Sequence, residues 1–228
     1  LVRNYVERGP PDTDGDAAIQ GGVDYTHPAG FYAGVWGSNT SAPGSIEIDG
    51  YFGWRFAPAP DLSLELGYMR YAFPGHSSGE ADAPGITTPD TDEIHATLGW
   101  KWFSLSYAHS LGNTFGYRDA GGSYYAQLGI EAPLADSGVT VSTHVGRQHF
   151  AGANVALWTA SSHCSNDCLS YTDYAIGLRK TWLGLDFGIA WTNTNARGRL
   201  ADGTPVYLND SGDNIGADQW IVSVSRSF

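Results

Sequence analysis

Residues 45–56 read SIEIDGYFGWRF, a stretch in which apolar and polar side chains alternate. One face carries the large apolar residues, which are Ile46, Ile48, Phe52, Trp54 and Phe56. The other face carries Glu47, Asp49, Tyr51, Gly53 and Arg55. Successive side chains of a β-strand point to opposite sides of the sheet. The period of two therefore predicts a strand whose two faces meet different surroundings.

The same alternation recurs along the chain and predicts about twelve strands. We expect them at residues 1–8, 17–27, 30–38, 45–57, 62–73, 91–100, 102–110, 122–133, 139–150, 171–180, 182–193 and 218–228. Short connections are predicted at 27–30, 57–61, near Lys101, at 133–138 and near Thr181, and long ones at 9–16, 39–44, 74–90, 111–121, 151–170 and 194–217. Short periplasmic turns that alternate with long extracellular loops are typical of bacterial outer-membrane barrels.

A soluble β-sandwich would also give many alternating strands, so the chemistry of the two faces must decide. The apolar face carries aromatic residues near strand ends, as membrane barrels do; these are Tyr25, Trp54, Tyr68, Trp100, Tyr107, Trp191 and Trp220. The other face is too polar for a shared core, because buried carboxylates without partners are costly. We therefore predict one domain over residues 1–228, an all-β transmembrane antiparallel β-barrel in the outer membrane of a Gram-negative bacterium.

The composition excludes two other classes of protein. No uninterrupted apolar run approaches the roughly 20 residues of a membrane helix, and the mean hydropathy is -0.25. The 24 acidic residues outnumber the 12 basic ones, which gives a formal charge of -12. Nucleic acid is not an expected partner, because phosphate binding needs basic patches. The first residue already lies in a predicted strand, so we expect any export signal to have been removed.

Two further patterns concern covalent and metal chemistry. Cys164 and Cys168 lie four residues apart in a polar stretch, which predicts a small loop disulfide formed in an oxidising compartment. A zinc site is not expected there, because it needs about four ligands. The DTDGD segment offers three candidate calcium ligands, which are Asp12, Asp14 and Asp16. It lacks the glutamate that completes an EF-hand loop, so a solvated turn is the favoured interpretation. No cofactor is expected.

Two stretches carry a resemblance to a known family. Residues 17–39 read AAIQGGVDYTHPAGFYAGVWGSN and residues 97–110 read TLGWKWFSLSYAHS. The chain resembles the proteobacterial TorF-type porins on these motifs and over nearly its whole length. The resemblance implies an outer-membrane channel but supplies no set of functional residues. The start departs from the pattern, because residues 7–11 read ERGPP, with two prolines in the first loop.

If the apolar face meets lipid, strand parity places a set of charged residues in the lumen. The predicted acids are Asp24, Glu47, Asp49, Glu65, Glu93, Glu131, Asp173 and Asp186, the bases are Arg55 and Arg179, and the titratable residues are His95 and His144. A net negative lumen favours cations or neutral polar solutes over anions. The alternative is that these groups cross-link into a network that only stabilises the barrel. Glycines at inward positions, such as Gly34, Gly53 and Gly146, predict a lumen with some open space.

We expect a porin-like channel for passive diffusion of small solutes, and not an enzyme. A closed structural or lipid-interacting barrel is the competing class. The third class is an outer-membrane hydrolase built on Ser142 and His144, for which no orienting group or oxyanion hole is identifiable. The chain ends on Phe228, which resembles the terminal aromatic residue of proteins inserted by the outer-membrane assembly machinery. Membrane lipid and lipopolysaccharide are expected partners, with Arg70 and Arg147 facing outward near the loop end.

Overall fold

The computed structural model describes residues 2–3, 6, 8–10, 13, 16–41, 46–75, 84–158, 164–209 and 211–228. In these residues a single antiparallel sheet contains 13 strands. The strands are β1 Val2–Arg3, β2 Ala17–Ala18, β3 Gln20–Thr26, β4 Phe31–Asn39, β5 Ile46–Ala59, β6 Leu62–Ala72, β7 Thr91–Trp100, β8 Phe103–Ser110, β9 Tyr124–Pro133, β10 Val139–His149, β11 Tyr171–Trp182, β12 Leu185–Thr194 and β13 Gln219–Ser225. Short 3-10 turns occupy Ala135–Ser137 and Asn166–Leu169.

The first and last strands of the chain pair with each other. Val2 of β1 lies opposite Ser223 of β13 on one side and opposite Ala18 of β2 on the other. Only Ile19 separates β2 from β3, and its backbone N–H donates to the side chain of Asn39 on β4 at 2.7 Å. The sheet therefore returns to its own beginning and closes as a barrel. If β2 and β3 are taken as one interrupted strand, the barrel has the twelve strands predicted.

The short connections lie where the pattern predicts them, with one exception. The turn expected near Thr181 is wrong, because β11 continues to Trp182 and the chain turns at Leu183 and Gly184. Both turn residues have positive φ, 51° and 74°, which suits a two-residue hairpin turn. Thr181 instead donates to Asp186 across the hairpin at 2.5 Å. Gly184 therefore belongs to this turn and not to the inner face of the barrel.

The distribution of exposed side chains is the reverse of that in a water-soluble protein. Val23 and Ile176 expose 79% and 53% of their surface. Glu93 on β7 and Asp173 on β11 lie on the polar face of the sheet, and they expose only 1% and 0% of their surface. A water-soluble sandwich would bury the apolar face, so this pattern excludes it. The apolar face is the outer wall of the barrel and the polar face is its inner wall.

Aromatic side chains form two bands on the outer wall. One band lies near the short turns and contains Tyr25, Phe31, Trp100, Trp102 and Trp182. The other lies near the long loops and contains Tyr107, Tyr174 and Trp220. The aliphatic residues Val35, Leu66, Leu98, Leu105, Leu128 and Ile189 are exposed on the same wall. Two aromatic girdles around an apolar band are typical of membrane barrels.

The long loops pack around a small apolar core of their own. Phe150, Trp158, Leu169, Tyr171 and Ala196 are buried together. Tyr207 donates its hydroxyl to the backbone carbonyl of Leu169 at 2.5 Å, which ties the last long loop to the one before it. The predicted disulfide between Cys164 and Cys168 is present in this region. No helix in the described part of the chain is long and apolar enough to cross a membrane.

Candidate functional site

The predicted lumen residues lie at two levels of the inner wall. Near the loops the acids are buried, and they are Glu47, Asp49, Glu93 and Asp173. Near the turns several charged side chains are open to solvent, whereas that of Glu65 is 24% exposed. Arg55, Glu131 and Arg179 expose 59%, 57% and 58% of their side chains. The inner wall is therefore tightly filled near the loops and open near the turns.

At the turn level, one cluster joins four strands. Arg55 on β5 forms an ion pair with Glu65 on β6, with 2.7 Å between Nε and Oε2. Tyr32 on β4 donates to the same carboxylate at 2.6 Å, and its ring lies 4.4 Å from the Arg55 guanidinium carbon. His95 on β7 approaches the Tyr32 hydroxyl at 3.2 Å. Each charge of the cluster thus has a partner on a neighbouring strand.

Other pairs at this level are simpler. Arg179 on β11 forms an ion pair with Glu131 on β9 across the intervening strand β10. Tyr51 donates to Asp24 at 2.7 Å. Each of these contacts connects strands that are two places apart in the sheet, as the stabilising alternative requires. Both members of the Arg179–Glu131 pair remain accessible to solvent.

At the loop level, a buried cluster surrounds Asp173. Its carboxylate lies 2.7 Å from His144 Nε2 on β10 and accepts the Tyr125 hydroxyl of β9 at 3.0 Å. The ring of Tyr125 lies over Gly146, where an added methyl group would come within 2.1 Å of the hydroxyl. Tyr51 covers Gly34 in the same way. At Gly34 and Gly146 the space left by glycine is therefore filled by a tyrosine ring.

Arg8, which the sequence analysis did not select, joins this inner cluster from the first long loop. Its guanidinium donates two hydrogen bonds to the Glu93 carboxylate at 3.0 and 2.9 Å and one to the Tyr71 hydroxyl at 3.0 Å. It also lies 4.9 Å from the ring centre of Tyr125. The predicted strand 1–8 is wrong at this end, because β1 is Val2–Arg3 and Arg8 lies outside any strand. Strand parity therefore does not apply to Arg8, and the only available signal was the unusual ERGPP segment around it.

A cavity of about 270 Å³ lies beside Arg8 on the inner wall. Its lining is part apolar, and its polar residues include Arg8, Glu93, Thr97, Ser106, Tyr125 and Gln127. The Thr97 and Ser106 hydroxyls lie 3.0 Å apart. The cavity walls therefore offer hydroxyl, amide and paired ionic groups, which can hydrogen-bond a small polar solute.

The whole chain matches a family model described as "Bacterial protein of unknown function (Gcw_chp)", over residues 1–228. The chain belongs to this family. A search of the curated proteins finds no match. The family description carries no activity, so the function of this Gcw_chp protein has to be inferred from its fold and inner wall.

Solved structures give the fold independently. The NanC porin matches with a TM-score of 0.57 and 10% sequence identity, covering 92% of this chain and 93% of that one. OccD3 (OpdP) from Pseudomonas aeruginosa matches with a TM-score of 0.45 and 13% identity, covering 96% of this chain and 58% of that one. LpxR from Salmonella typhimurium matches with a TM-score of 0.41 and 11% identity, covering 91% and 86%. At these identities the likeness to NanC establishes a shared barrel fold.

The fold and the outer wall agree with the predicted location. Closed antiparallel barrels with an apolar band and aromatic girdles are the membrane-spanning proteins of bacterial outer membranes, and the Gcw_chp family is bacterial. In lipid, a closed barrel satisfies every backbone hydrogen bond within the sheet. The Gcw_chp chain is an outer-membrane β-barrel.

The remaining candidates do not assemble into a second site. Among the described residues no hydrogen bond joins Ser142 to His144, whose ring bonds to Asp173 instead. Asp16 is described, but Asp12 and Asp14 lie outside the described residues, so calcium binding by that loop stays a prediction. On the outer wall, Arg70 forms ion pairs with Asp90 and Asp92. Arg147 has only a 3.4 Å contact with the Thr172 hydroxyl in the described part of the chain.

Proposed function

We propose that this barrel is an outer-membrane channel for passive diffusion of small solutes. The observation that carries the proposal is the solvent-accessible charged inner wall at the turn level, inside a closed barrel with an apolar exterior. Carboxylates and guanidinium groups cost little free energy where water solvates them, and much more where they are buried without partners. Their exposure near the turns supports a wet interior that leads into the barrel from that end.

The charge on the inner wall supports a preference for cations and neutral polar solutes. Eight carboxylates at the predicted lumen positions face three guanidinium groups, those of Arg8, Arg55 and Arg179, which leaves five excess negative charges among these residues. Charge of one sign in a confined channel raises the local concentration of the opposite ion. Rings of acidic side chains are a known basis for cation selectivity in channels.

The proposed channel function is tested by measuring ion conduction through the barrel. Purified protein is inserted into a planar bilayer, and we measure single-channel conductance and the reversal potential across a KCl gradient. Discrete conducting steps with a reversal potential towards that of K⁺ are expected. Anion selectivity would contradict the assigned sign of the lumen. Protein unfolded by heat before addition serves as the control for artefactual currents.

A non-conducting structural barrel is the second candidate, and one observation favours it. Arg8 and the buried acids are much less exposed at the loop level than Arg55, Glu131 and Arg179 are at the turn level, which supports a narrower passage at the loop level. A barrel that inserts and folds but never conducts would support this candidate. We propose no enzymatic role, and replacing Ser142 with alanine is expected to leave any esterase activity of the preparation unchanged.

The outer rim supports a finer proposal about partners. Arg147 lies on the outer wall near the loops, with no acidic partner among the described residues. An arginine at that level can bind a phosphate group through several hydrogen bonds, so we propose a contact with lipopolysaccharide phosphate. Arg147→Ala is expected to weaken lipopolysaccharide binding more than Arg70→Ala, because Arg70 is already paired with two aspartates.

We also propose, in line with the TorF-type resemblance, that Phe228 takes part in insertion by the outer-membrane assembly machinery. Phe228 is fully exposed, so it is available to the assembly machinery. Phe228→Ala is expected to reduce the amount of folded barrel in the outer membrane without changing the conductance of the molecules that do insert. A changed conductance at normal abundance would assign Phe228 to the channel and not to assembly.

A further inference from the structure

Arg8 reaches from one wall of the barrel to the opposite wall. It follows β1, which pairs with β13, yet its guanidinium contacts Glu93 on β7, which is seven places from β1 in the strand order. Its backbone carbonyl accepts the hydroxyl of Tyr171 on β11 at 2.5 Å. The residue therefore takes a path through the interior, and a solute that passes the loop level must pass beside it.

The position of this side chain is fixed from several directions. Glu93 holds the guanidinium with two hydrogen bonds, and the rings of Tyr71 and Tyr125 lie 5.7 and 4.9 Å from its carbon. Gly9 has a φ of 83°, and an added Cβ there would lie 2.5 Å from the Tyr171 ring. Glycine is thus required for the loop to bring Arg8 this close to β11.

Among Arg8, Glu93 and Asp173, the guanidinium of Arg8 is the group most accessible to solvent. The Arg8 side chain is 16% exposed, whereas that of Glu93 is 1% exposed and that of Asp173 is 0% exposed. A solute therefore meets the guanidinium before it meets either carboxylate. A fixed charge at the narrow part of a pore acts on ions more strongly than the same charge at a wide part, because less water screens it.

We infer that Arg8, paired with Glu93, determines the charge selectivity of the channel at its narrow level. This inference rests on the proposed channel function. The pair cancels the attraction that Glu93 alone would exert on cations at the point where Arg8 lies. Loss of Arg8 then leaves the Glu93 carboxylate without its guanidinium partner, and loss of the Glu93 charge removes one negative charge from beside the Arg8 guanidinium.

The experiment compares wild type, Arg8→Ala, Glu93→Gln and the double variant in planar bilayers under a KCl gradient. We expect Arg8→Ala to raise conductance and the cation-to-anion permeability ratio, each about twofold or more. Glu93→Gln is expected to lower the ratio. The double variant is expected to keep the higher conductance of Arg8→Ala with a ratio near that of wild type, because these two positions carry no net charge in either protein. Arg55→Ala, which breaks an arginine–glutamate pair at the open level, is the matched control and is expected to change both quantities less.

The outcomes separate the inference from the function on which it rests. If wild type conducts and the four proteins share one permeability ratio, Arg8 is at most a steric obstacle and the inference is overturned. If wild type and all variants insert as folded barrels and remain silent, the channel function fails and the inference falls with it. A silent wild type beside a conducting Arg8→Ala would overturn both the proposed conduction by the natural protein and the selectivity inference, because Arg8 would then act as a plug. Glu93→Gln preserves side-chain shape, so it tests the sign even if Arg8→Ala folds poorly.

Discussion

Asn166 donates its side-chain amide to the backbone carbonyl of Arg118, which lies 48 residues earlier in another loop, at 3.0 Å. The same amide donates to the carbonyl of Ala151 at 2.9 Å, and its oxygen accepts from Asn154 and from the Trp158 indole, each at 3.1 Å. Asn166 is fully buried. One side chain thus joins separate extracellular loops into a single cap above the barrel.

Replacement of Asn166 by alanine should loosen this cap while leaving the barrel intact. Each buried hydrogen bond contributes about 1 kcal/mol, and partners left unsatisfied add to the cost, so we expect the free energy of local opening to fall by about 2–4 kcal/mol. Limited proteolysis of the folded protein in detergent measures the effect. Asn113→Ala, at an exposed loop position with a single 3.2 Å hydrogen bond, is the control. Equal protease resistance of the two variants would show that the loops do not depend on Asn166.

Gly146 provides a test of the packing of tyrosine over glycine. A methyl group at this position would lie 2.1 Å from the Tyr125 hydroxyl, so Gly146→Ala must displace the ring and weaken its hydrogen bond to Asp173. Overpacking of this kind costs about 1–3 kcal/mol. Gly50→Ala is the matched control, because no atom lies within 4 Å of its added Cβ. Urea unfolding in detergent or lipid, followed by tryptophan fluorescence, is expected to show a lower midpoint for Gly146→Ala only.

The wall of the barrel could be predicted from the sequence because one rule governs all of it. Lipid outside and polar groups inside impose a period of two on every strand, so the strand positions and the faces of residues such as Glu93 and Ile94 followed directly. The turn at Leu183 was misplaced by two residues because Thr181 and Trp182 continue the alternation. The two-residue alternation does not determine where a strand ends, and the leucine at position 183 does not itself predict a positive φ.

The interior was less predictable than the wall. Alternation identifies which residues face inward, but it does not predict the orientation of their side chains. The ring of Tyr125 covers Gly146, and that of Tyr51 covers Gly34. It also cannot assign a loop residue, and Arg8 depends on contacts with strands that are more than 60 positions away in sequence. The pairing of inner charges depends on these three-dimensional neighbours, which a single sequence does not specify.

Glu131 provides a test of lumen charge that is independent of Arg8. Its ion pair with Arg179 lies at the open turn level, so Glu131→Gln leaves an accessible guanidinium without its carboxylate partner. We expect the cation-to-anion permeability ratio to fall, because one fixed negative charge is removed from the lumen. Asp202→Asn removes the same formal charge from an exposed loop and is expected to leave the ratio close to the wild-type value. An equal effect of both substitutions would indicate general surface charge and not a lumen position.

Tyr207 gives the loop cap a dependence on alkaline pH. Burial in the loop core raises the pKa of its phenol well above the ordinary value, with smaller contributions from Tyr171 and Tyr117. In the opened cap the phenol ionises near its usual pKa of about 10, while in the packed cap it stays protonated. The opened state therefore binds fewer protons above that pH, and the stability of the cap is present below about pH 10 and declines as pH rises further. Protease susceptibility of the loops should increase over this range.

Tyr207→Phe separates this cause from general alkaline denaturation. The variant cannot ionise at position 207, so its increase in protease susceptibility with pH is expected to be shallower than that of wild type. Tyr117, whose pKa is also raised by burial, leaves a residual dependence. The variant also loses the hydrogen bond to the Leu169 carbonyl, so its cap should be somewhat weaker at neutral pH, by about 1 kcal/mol. An unchanged slope above pH 10 would show that Tyr207 already meets solvent in the closed cap, contrary to its packing against Tyr171.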